Sequence, residues 1–382
     1  MPRKLRWGMV GGGEGSQIGG AHRIGASLDG HFEMVAGALD IDPQRGRAYA
    51  VRTGITEDRA YGDWQEMLGR ESGLAGADRL DLVTVATPNS THHEISRAFL
   101  RAGFHVLCEK PITTTVEDGE DLLTTARHAD RILAVNYGYS GYPMVRQARA
   151  MVRDGELGRI RVVVAEFSHG SHADAADADN PRVRWRYDPA QAGVSSVLAD
   201  TGLHALHLAC FVIGQRVRRV SADFVSTVEG RVLEDDAMVS LRFTGGAAGR
   251  LWASAVAVGQ QHGLALRVFG ERGGLRWSQE QPNQLYWTPL NEPTRALERG
   301  DARLHEVARM GSRITVGHVE GMLGAFGNIY ADLAETIRAR KERRAPHPAA
   351  HWYPTGEDGV RTLAVVHAAA RSARAGGVWV DA

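Results

Sequence analysis

The stretch that decides the fold is Val10-Gly11-Gly12-Gly13-Glu14-Gly15-Ser16-Gln17-Ile18-Gly19. It lies between an apolar run, Leu5–Val10, which predicts a buried strand, and a periodic segment, Ile18–Leu28, which predicts a helix. Glycines here let the backbone turn sharply and let a pyrophosphate approach main-chain amides at a helix N-terminus. The third glycine of the usual fingerprint is displaced, with Gly15 and Gly19 on either side of its expected place. We interpret the stretch as a dinucleotide-binding loop lengthened by about three residues, although glycines alone would also suit a structural turn.

The sequence around this loop alternates short apolar runs with longer helical patterns. Further strands are expected at Phe32–Leu39, Leu80–Ala86 and His105–Cys108, and helices at Pro43–Val51 and Glu94–Ala102. Such alternation predicts a parallel, doubly wound sheet with helices on both faces. We therefore predict an α/β fold in which residues 1–140 form a Rossmann domain.

Beyond residue 158 the pattern changes, and strands follow one another with few helices between them. These strands are expected at Ile160–Phe167, Val217–Val225, Ala237–Phe243, Arg250–Val256 and Leu264–Phe269. Alternation of apolar and polar residues within them is typical of a sheet with one covered face. We predict helices near Ser196–Val212 and Gly321–Arg340 on one side, and an opposite face buried between subunits. Residues 141–382 are thus predicted to form an α+β domain with a large, mainly antiparallel open sheet.

Composition excludes several classes of protein. In 382 residues, Lys plus Arg and Asp plus Glu both total 45, so the net charge is zero and no bulk field attracts nucleic acid or an anionic membrane. No stretch of about 18 apolar residues predicts a transmembrane helix. The two cysteines, Cys108 and Cys210, lack the spacing of a zinc module or a disulfide framework. We expect a cytoplasmic protein with no nucleic-acid or membrane partner.

Asp40 ends the second predicted strand and supports the dinucleotide interpretation. A carboxylate there can accept hydrogen bonds from the adenosine ribose hydroxyls and would repel a 2′-phosphate. Ile41 provides no cation for such a phosphate, whereas Arg45 leaves the choice of cofactor partly open. Asp42 precedes Pro43 and is the better helix cap, so capping does not explain Asp40. The pattern predicts NAD in preference to NADP.

Two polar segments follow predicted parallel strands, Thr87-Pro88-Asn89-Ser90-Thr91-His92 and Cys108-Glu109-Lys110-Pro111. Ligands of open α/β sheets bind at the carboxyl ends of the strands, so these segments are expected to converge where a nicotinamide would lie. The chain has three lysines, and Lys4 and Lys341 stand among other charged residues. Lys110 alone follows an apolar strand, which favours a chemical role over that of a surface lysine.

Asp200 and His204 are four residues apart in a predicted helix, which places a carboxylate and an imidazole on one face. Removal of hydride from a carbinol carbon requires loss of the hydroxyl proton, and histidine has the side-chain pKa best suited to accept it near neutral pH. A structural interpretation, with Asp200 as a helix cap and His204 in the core, stays open. A metal site that joins His207 to His169 and His172 is less favoured because no compact ligand set is evident, and we expect no metal.

Together these motifs resemble the Gfo/Idh/MocA family of sugar and polyol oxidoreductases. The resemblance covers nearly the whole chain and also rests on Asn136-Tyr137, Gly155-x-Leu157-Gly158 and Trp185-Arg186. Its specific part is Glu109-Lys110-Pro111 combined with Asp200-x-Gly202-x-His204. Within the family, the chain is most similar to members that act on cyclic polyols and pyranoses, such as the scyllo-inositol, L-glucose and levoglucosan dehydrogenases.

The resemblance implies a Rossmann domain followed by a substrate-binding domain, assembled as a homodimer or homotetramer through the open sheet. It implies that Lys110, Asp200 and His204 are catalytic, with Lys110 and His204 handling the proton. The residues expected to bind the cofactor are Gly11, Gly13, Gly15, Ser16, Gln17, Ile18, Asp40, Thr87, Pro88, Asn89, His92, Glu109, Lys110, Asn136, Trp185 and Arg186. Those expected to bind substrate are Lys110, Tyr142, Arg186, Asp200, His204 and His318.

We therefore predict an NAD-dependent dehydrogenase that oxidises a secondary hydroxyl of a cyclic polyol or pyranose sugar. Two alternatives stay open. A redox-neutral glycosidase or epimerase-like enzyme that retains NAD would use the same fold. A non-catalytic NAD-binding sensor would keep the cofactor site but would not need Lys110, Asp200 and His204 together.

Overall fold

The computed structural model describes residues 3–175 and 184–382. Contacts divide the chain into two units: the first consists of Met1–Gly141 and Met322–Val360, the second of Tyr142–Gly321 and Arg361–Ala382. The sequence predicted a division near residue 140, followed by one continuous domain over residues 141–382. The structure divides the chain after Gly141 but differs beyond that point, because the chain returns to the first unit at Met322 and leaves it after Val360.

The first unit is built on a five-stranded parallel sheet, which confirms the fold predicted from the alternating sequence. Its strands are β1 (Leu5–Gly11), β2 (Phe32–Ala38), β3 (Leu82–Ala86), β4 (His105–Cys108) and β5 (Leu133–Val135). Their order is β2-β1-β3-β4-β5, so the direction of winding reverses between β1 and β3. Loops at the carboxyl ends of such strands, beside the point of reversal, are where ligands bind.

The α-helices in the described part of the chain are α1 (Gln17–Leu28), α2 (Pro43–Arg52), α3 (Trp64–Ser72), α4 (His92–Arg101), α5 (Val116–His128), α6 (Pro143–Arg153), α7 (Pro189–Ala192), α8 (Leu203–Ile213), α9 (Glu306–Met310), α10 (Met322–Lys341) and α11 (Gly356–Arg374). Helix α2 begins where the sequence predicted it: Asp42 accepts a hydrogen bond from the Arg45 amide, and Pro43 occupies the first turn. None of the helices in residues 3–175 and 184–382 is both long and apolar enough to cross a bilayer.

Helix α10 belongs to the first unit, which corrects the prediction that a helix near Gly321–Arg340 covers the second sheet. It packs against α1. Its buried residues Ile329, Tyr330, Leu333 and Ile337 join residues of β1 and β2 in one hydrophobic cluster. The apolar periodicity of a helix identifies the face that is buried but does not say which sheet covers it, and the sequence therefore misplaced this helix.

The second unit contains a nine-stranded sheet. Its strands are β6 (Ile160–Ser168), β7 (Val217–Val225), β8 (Asp236–Phe243), β9 (Ala248–Ser254), β10 (Ala265–Gly270), β11 (Gly273–Ser278), β12 (Gln284–Pro289), β13 (Arg295–Glu298) and β14 (Val380–Asp381). They are ordered β13-β12-β11-β10-β6-β9-β8-β7-β14, and all neighbours are antiparallel except β6 and β9. The predicted large, mainly antiparallel sheet is thus confirmed.

One face of this sheet packs against α6 and α8. Along β8, Ala237, Val239, Leu241 and Phe243 are buried, whereas Met238 and Arg242 between them are exposed. This is the period-two alternation that the sequence predicted for a sheet with one covered face. The opposite face carries both charged and apolar side chains and is accessible in the single chain.

Candidate active site

The predicted cofactor-binding segments of the first unit all follow the ends of its parallel strands. The glycine loop follows β1, Asp40 follows β2, Thr87 follows β3, Glu109 follows β4 and Asn136 follows β5. Because the five strands are parallel, these ends lie along one edge of the sheet. The structure therefore places at one edge the segments that the sequence predicted to converge there.

Within the glycine loop, Gly19 has the role of the third glycine of the usual fingerprint, which is to allow close packing of the helix. Ser16 caps α1, since its hydroxyl accepts a hydrogen bond from the Gly19 amide at 3.0 Å while its own amide donates to the Gly13 carbonyl at 3.1 Å. A Cβ on Gly19 would lie 2.0 Å from the carbonyl oxygen of Gly12. Gly15 has φ of +77°, and a Cβ there would meet no atom within 4 Å. Gly15 thus belongs to the turn of the loop, and Gly19 is where α1 approaches the loop closely. The residues that lengthen the loop lie between these two positions.

We expect Gly19→Ala to impair both folding and cofactor binding, because the added methyl group would overlap the Gly12 carbonyl. The free energy of unfolding should fall by about 1–3 kcal/mol, the usual cost of overpacking, and affinity for NADH, measured by fluorescence titration, should fall as well. Gly20→Ala is the matched control in α1, since a Cβ there meets no atom within 4 Å. Helix propensity should make this control more stable by about 0.5–1 kcal/mol. Equal effects of the two substitutions would contradict this account.

Asp40 is held by Arg45. The guanidinium donates from Nε to Oδ2 at 2.8 Å and from Nη2 to Oδ1 at 2.6 Å, and the Asp42 amide donates to Oδ1 at 2.9 Å. The hydrogen bond from Arg45 is the main cause that holds the pKa of Asp40 below its usual value. Arg45, which the sequence left as a partner for a 2′-phosphate, is thereby neutralised. The arrangement favours NAD over NADP.

We expect Asp40→Ser to shift the cofactor preference towards NADP, because it removes the repelling carboxylate and releases Arg45 for a 2′-phosphate. A new charge-assisted hydrogen bond is worth about 1.5–3 kcal/mol, so the ratio of the NADPH and NADH dissociation constants should change by about 10- to 100-fold. Fluorescence titration with both cofactors measures this ratio without a substrate. The double substitution Asp40→Ser, Arg45→Ala should not show the improved affinity for NADPH. An unchanged ratio of dissociation constants in the single variant would show that Asp40 does not distinguish NAD from NADP.

His92 ties two of the cofactor-binding segments together. Its Nδ1 lies 2.8 Å from the Pro111 carbonyl oxygen and its Nε2 lies 2.9 Å from that of Thr87. Both carbonyl oxygens receive a hydrogen only if the ring is a doubly protonated imidazolium. Burial opposes that positive charge and lowers the pKa of His92. Cys108 and the two carbonyls outweigh burial and together raise this pKa to about 9. The sequence predicted that His92 binds the cofactor. In the structure both ring nitrogens have protein partners, which is the arrangement of a residue that holds the two segments in place.

Glu109 is buried at the end of β4 and accepts hydrogen bonds from three donors. They are His22 Nε2 at 2.9 Å, Asn136 Nδ2 at 2.5 Å and the Lys110 amide at 3.2 Å. Burial opposes ionisation of Glu109, but the hydrogen bonds from His22 and Asn136 outweigh it, and its pKa lies below the usual value. His22 has no signal in the sequence, because only its proximity to Glu109 in space distinguishes it from any other helical histidine.

The groups at this edge fit a dinucleotide. Asn136 is 2% exposed, and its Oδ1 is buried without a hydrogen-bond partner among the described residues, so it offers an unused acceptor beside Glu109. In the first turn of α1, Gln17 and Ile18 are exposed, and after β3 the short segment Pro88–Asn89 is accessible. Free amides at a helix N-terminus suit a pyrophosphate, and an ionised carboxylate suits ribose hydroxyls.

In the second unit, Asp200 lies in a π-helical turn, Leu198–Gly202, directly before α8. This corrects the prediction of one regular helix over Ser196–Val212, because an apolar pattern does not distinguish a π-helical turn from an α-helical one. Asp200 accepts a hydrogen bond from Arg186 Nε at 3.0 Å, and the Arg186 guanidinium lies 4.6 Å from the centre of the Trp185 ring. Turns of this kind are frequent at functional sites.

His204, in the first turn of α8, belongs to an aromatic cluster around Phe167. The centroid of the Phe167 ring lies 4.6 Å from that of His262, 6.1 Å from that of His204 and 6.2 Å from that of His169. Burial lowers the pKa of both His169 and His262, so their rings are neutral near pH 7. Neutral rings with polar nitrogens suit a ligand with apolar faces and many hydroxyl groups. No sequence motif pointed to His262.

Two buried carboxylates, Glu234 and Asp235, hold the segments around this cluster. Glu234 accepts three hydrogen bonds from the segment Ser195–Leu198, at 2.6 to 3.2 Å, and so satisfies donors at the start of the π-helical turn. Asp235 pairs with Arg231 at 3.1 Å, and Arg231 also donates to the His172 carbonyl. These residues support the site, and no motif in the sequence pointed to them.

Two predicted substrate contacts have different surroundings. Tyr142 is 2% exposed and packs against Trp277, with ring centroids 5.4 Å apart. His318 is exposed, and its Nδ1 lies 3.3 Å from the Thr315 hydroxyl. The loop that carries it is held by the buried Arg299, which donates to the His318 carbonyl. A role in substrate binding stays a prediction for both residues.

The metal site considered from the sequence has no ligand set in the described part of the chain. Within residues 3–175 and 184–382, no group of three or more histidine, cysteine or carboxylate side chains is arranged to hold a metal ion. His169 and His172 have ring centroids 5.6 Å apart, whereas His207 is buried in α8 beside Phe211.

Two domain families match the chain. A family described as an oxidoreductase family with an NAD-binding Rossmann fold matches residues 5–137. The GFO/IDH/MocA C-terminal domain matches residues 145–276. The matches cover the parallel sheet of the first unit and most strands of the second, so both units resemble known domains.

Individual relatives are similar over their whole length. An uncharacterized oxidoreductase of Bacillus subtilis (strain 168), YfiI, is 36% identical over 99% of this chain and 97% of its own. Levoglucosan dehydrogenase of Pseudarthrobacter phenanthrenivorans is 24% identical over 99% of this chain and 98% of its own. Among solved structures, an inositol dehydrogenase homolog from Azotobacter vinelandii complexed with NADH and myo-inositol is 41% identical, with a TM-score of 0.91, over 100% of this chain and 98% of that chain.

Proposed function

Because the chain belongs to the Gfo/Idh/MocA family of NAD-binding oxidoreductases, we propose that it oxidises a secondary hydroxyl of a cyclic polyol or pyranose sugar and passes the hydride to NAD. The observation that carries this proposal is the full-length similarity to an inositol dehydrogenase homolog whose crystal structure holds NADH and myo-inositol. The similarity to levoglucosan dehydrogenase extends the range to anhydrosugars. We place the activity in the cytoplasm, because two cysteines in 382 residues form no disulfide framework.

NAD, when bound, supplies the carbon that accepts the hydride. In our proposal the amides of the glycine loop bind its pyrophosphate, and Asp40 accepts hydrogen bonds from its ribose hydroxyls. The buried Oδ1 of Asn136 accepts a hydrogen bond from the same ligand. The rest of the chemistry falls to side chains that handle the proton of the substrate hydroxyl.

An alcohol is oxidised when the C–H bond gives up a hydride, the O–H bond gives up a proton, and a carbonyl forms. We assign the proton to His204, because imidazole is the side chain whose ordinary pKa lies near neutral pH. Lys110 stabilises the negative charge that develops on the oxygen. Asp200, held by Arg186, accepts a hydrogen bond from the substrate and orients it.

We expect the purified protein to form NADH from NAD and at least one member of a panel of inositols, glucose isomers and anhydrosugars. His204→Asn should lower kcat by about 10²- to 10⁴-fold through loss of the general base, and Lys110→Met by about 10²- to 10³-fold through loss of charge stabilisation. Lys4→Met is the matched lysine control, since Lys4 is exposed near the N-terminus and is not one of the predicted site residues, and this variant should keep its activity.

The alternatives give different results in this assay. Absence of NADH with every cyclic polyol, despite tight NADH binding, would contradict the proposed dehydrogenase. Sugar turnover without net NADH, by protein that copurifies with its cofactor, would indicate a redox-neutral enzyme. Binding without any turnover, together with a Lys110→Ala variant that keeps its role in the cell, would indicate a sensor.

We assign the exposed face of the second sheet to the interface of a homodimer or homotetramer. Val162, Met238 and Phe269 expose 38%, 53% and 44% of their surfaces there, and a cavity of about 490 Å³ on this face is lined in part by Trp252. Exposed apolar patches of this kind favour association.

The double substitution Val162→Glu, Met238→Glu should therefore reduce the mass found by analytical ultracentrifugation. Val51→Glu on α2, 41% exposed, is the control; a wild-type protein that sediments as a monomer would end this assignment.

A further inference from the structure

A continuous series of buried side chains leads from the core of the first unit to Glu109. Trp7 Nε1 donates to Thr84 Oγ1 at 2.9 Å, and Thr84 Oγ1 lies 2.9 Å from Tyr330 Oη. Tyr330 Oη lies 2.8 Å from His22 Nδ1, and His22 Nε2 lies 2.9 Å from Glu109 Oε1. All five residues are at most 7% exposed. We call this series the core chain.

The direction of every hydrogen bond in the core chain follows from its first member. The indole nitrogen of Trp7 can only donate, so it occupies a lone pair of Thr84. Among the described residues, the other partner of the Thr84 hydroxyl is Tyr330, so the threonine hydrogen is satisfied only if it points to the tyrosine oxygen. The hydrogen of Tyr330 then points to Nδ1 of His22. The histidine therefore carries its own hydrogen on Nε2 and donates it to Glu109.

The core chain does not conduct protons, because Trp7 has no acceptor at the inner end and every member is buried. It delivers one oriented donor to Glu109, whose other carboxylate oxygen accepts the Lys110 amide at 3.2 Å. Resting on the proposed function, we propose that His22 and Tyr330 are positioning residues that orient the Glu109 carboxylate and thereby fix Lys110 and Asn136 for hydride transfer.

The members of the core chain come from segments that carry the predicted cofactor site. His22 lies on α1, whose first turn belongs to the glycine loop, and Thr84 lies on β3, which leads to Thr87. Glu109 follows β4 and binds Asn136 after β5. Tyr330, 308 residues after His22, comes from α10. One series of hydrogen bonds thus joins the middle of β3 and the residues after β4 and β5 to α1.

The first test separates positioning from folding by kinetics. Tyr330→Phe keeps the ring in the core but removes the donor to His22, and His22→Leu removes the donor to Glu109. Each should lower kcat for the polyol substrate by about tenfold or more, because small displacements of reacting groups cost about that much, while the KM for the polyol changes by less than about twofold. His22→Gln, whose amide can both accept and donate, should restore most of the rate.

Tyr353→Phe is the matched control. Tyr353 packs against the same hydrophobic cluster but has no bond to a member of the core chain in the described structure, and its phenol interacts with Thr336. This variant should keep the wild-type kcat, although loss of the hydrogen bond to Thr336 should lower the free energy of unfolding by about 1 kcal/mol. A comparable loss in Tyr353→Phe and Tyr330→Phe would show that any phenol deleted from this core has the same effect, and would overturn the proposal.

The pH dependence of kcat provides a readout that a merely structural role would not move. The titratable groups that act on Glu109 are His22, Lys110 and Tyr330. In the wild type the acid limb belongs to the general base assigned above, His204, because the hydrogen bond from His22 keeps the pKa of Glu109 low. Loss of that bond in His22→Leu raises the pKa of the buried Glu109, so that protonation of Glu109 also lowers kcat and the acid limb moves to higher pH. The acid limb of His22→Gln should stay where the wild type has it. An unmoved limb in His22→Leu would overturn the proposal.

A second test needs no turnover. Nitrogen NMR of the wild-type protein with ¹⁵N-labelled histidine, with His22→Gln to assign the signals, should show the hydrogen of His22 on Nε2 and none on Nδ1. An imidazolium, or a hydrogen on Nδ1, would reverse the deduced direction and overturn the proposal. If the wild type oxidises no polyol, the proposed function fails, but this measurement still decides whether the core chain is directed at Glu109.

Discussion

Burial of the Glu109 carboxylate is the constraint on which the first unit depends. A desolvated negative charge is stable only when several donors reach it, and here the three donors come from α1, from the residue after β5 and from the Lys110 amide. Each donor belongs to a different segment of the sheet edge. The charge therefore couples the positions of segments that hydrophobic packing alone would leave free to shift by small distances.

The need for hydrogen-bond partners extends from Glu109 to His22. Once His22 donates from Nε2, its Nδ1 needs a donor of its own, and the nearest hydroxyl belongs to Tyr330 on α10. The helix that returns to the first unit from late in the chain thus brings this hydroxyl to His22. Ile329, Leu333 and Ile337 supply the apolar contacts that place α10, and Tyr330 supplies the polar group that α1 to α5 do not offer to His22.

The second unit solves a related problem with the same kind of group. The start of a helix leaves backbone N–H groups without intrahelical partners, and before the π-helical turn that leads into α8 the buried Glu234 accepts from two of them, Ser196 and Leu198, and from the Ser195 hydroxyl. Asp235, through Arg231, holds the backbone at His172. In both units a buried carboxylate stabilises irregular backbone next to candidate catalytic residues, which is where polar networks are most sensitive to loss of one member.

Local signals in the sequence predicted most of the architecture, and long-range contacts account for what they missed. The alternation of strands and helices, the Asp42 cap and the period-two strands of the second sheet depend on neighbours in sequence and were predicted. β5 has three residues, too few for a periodic signal, and His22, His262 and Glu234 are distinguished only by contacts with residues distant in sequence.

The glycine loop shows the same distinction within one motif. Its usual spacing combines two requirements, a turn that exposes amides and a close approach of helix to loop, and in this chain Gly15 and Gly19 meet them separately. A search by spacing therefore finds the motif incomplete, whereas the physical requirement of each glycine identifies it in full.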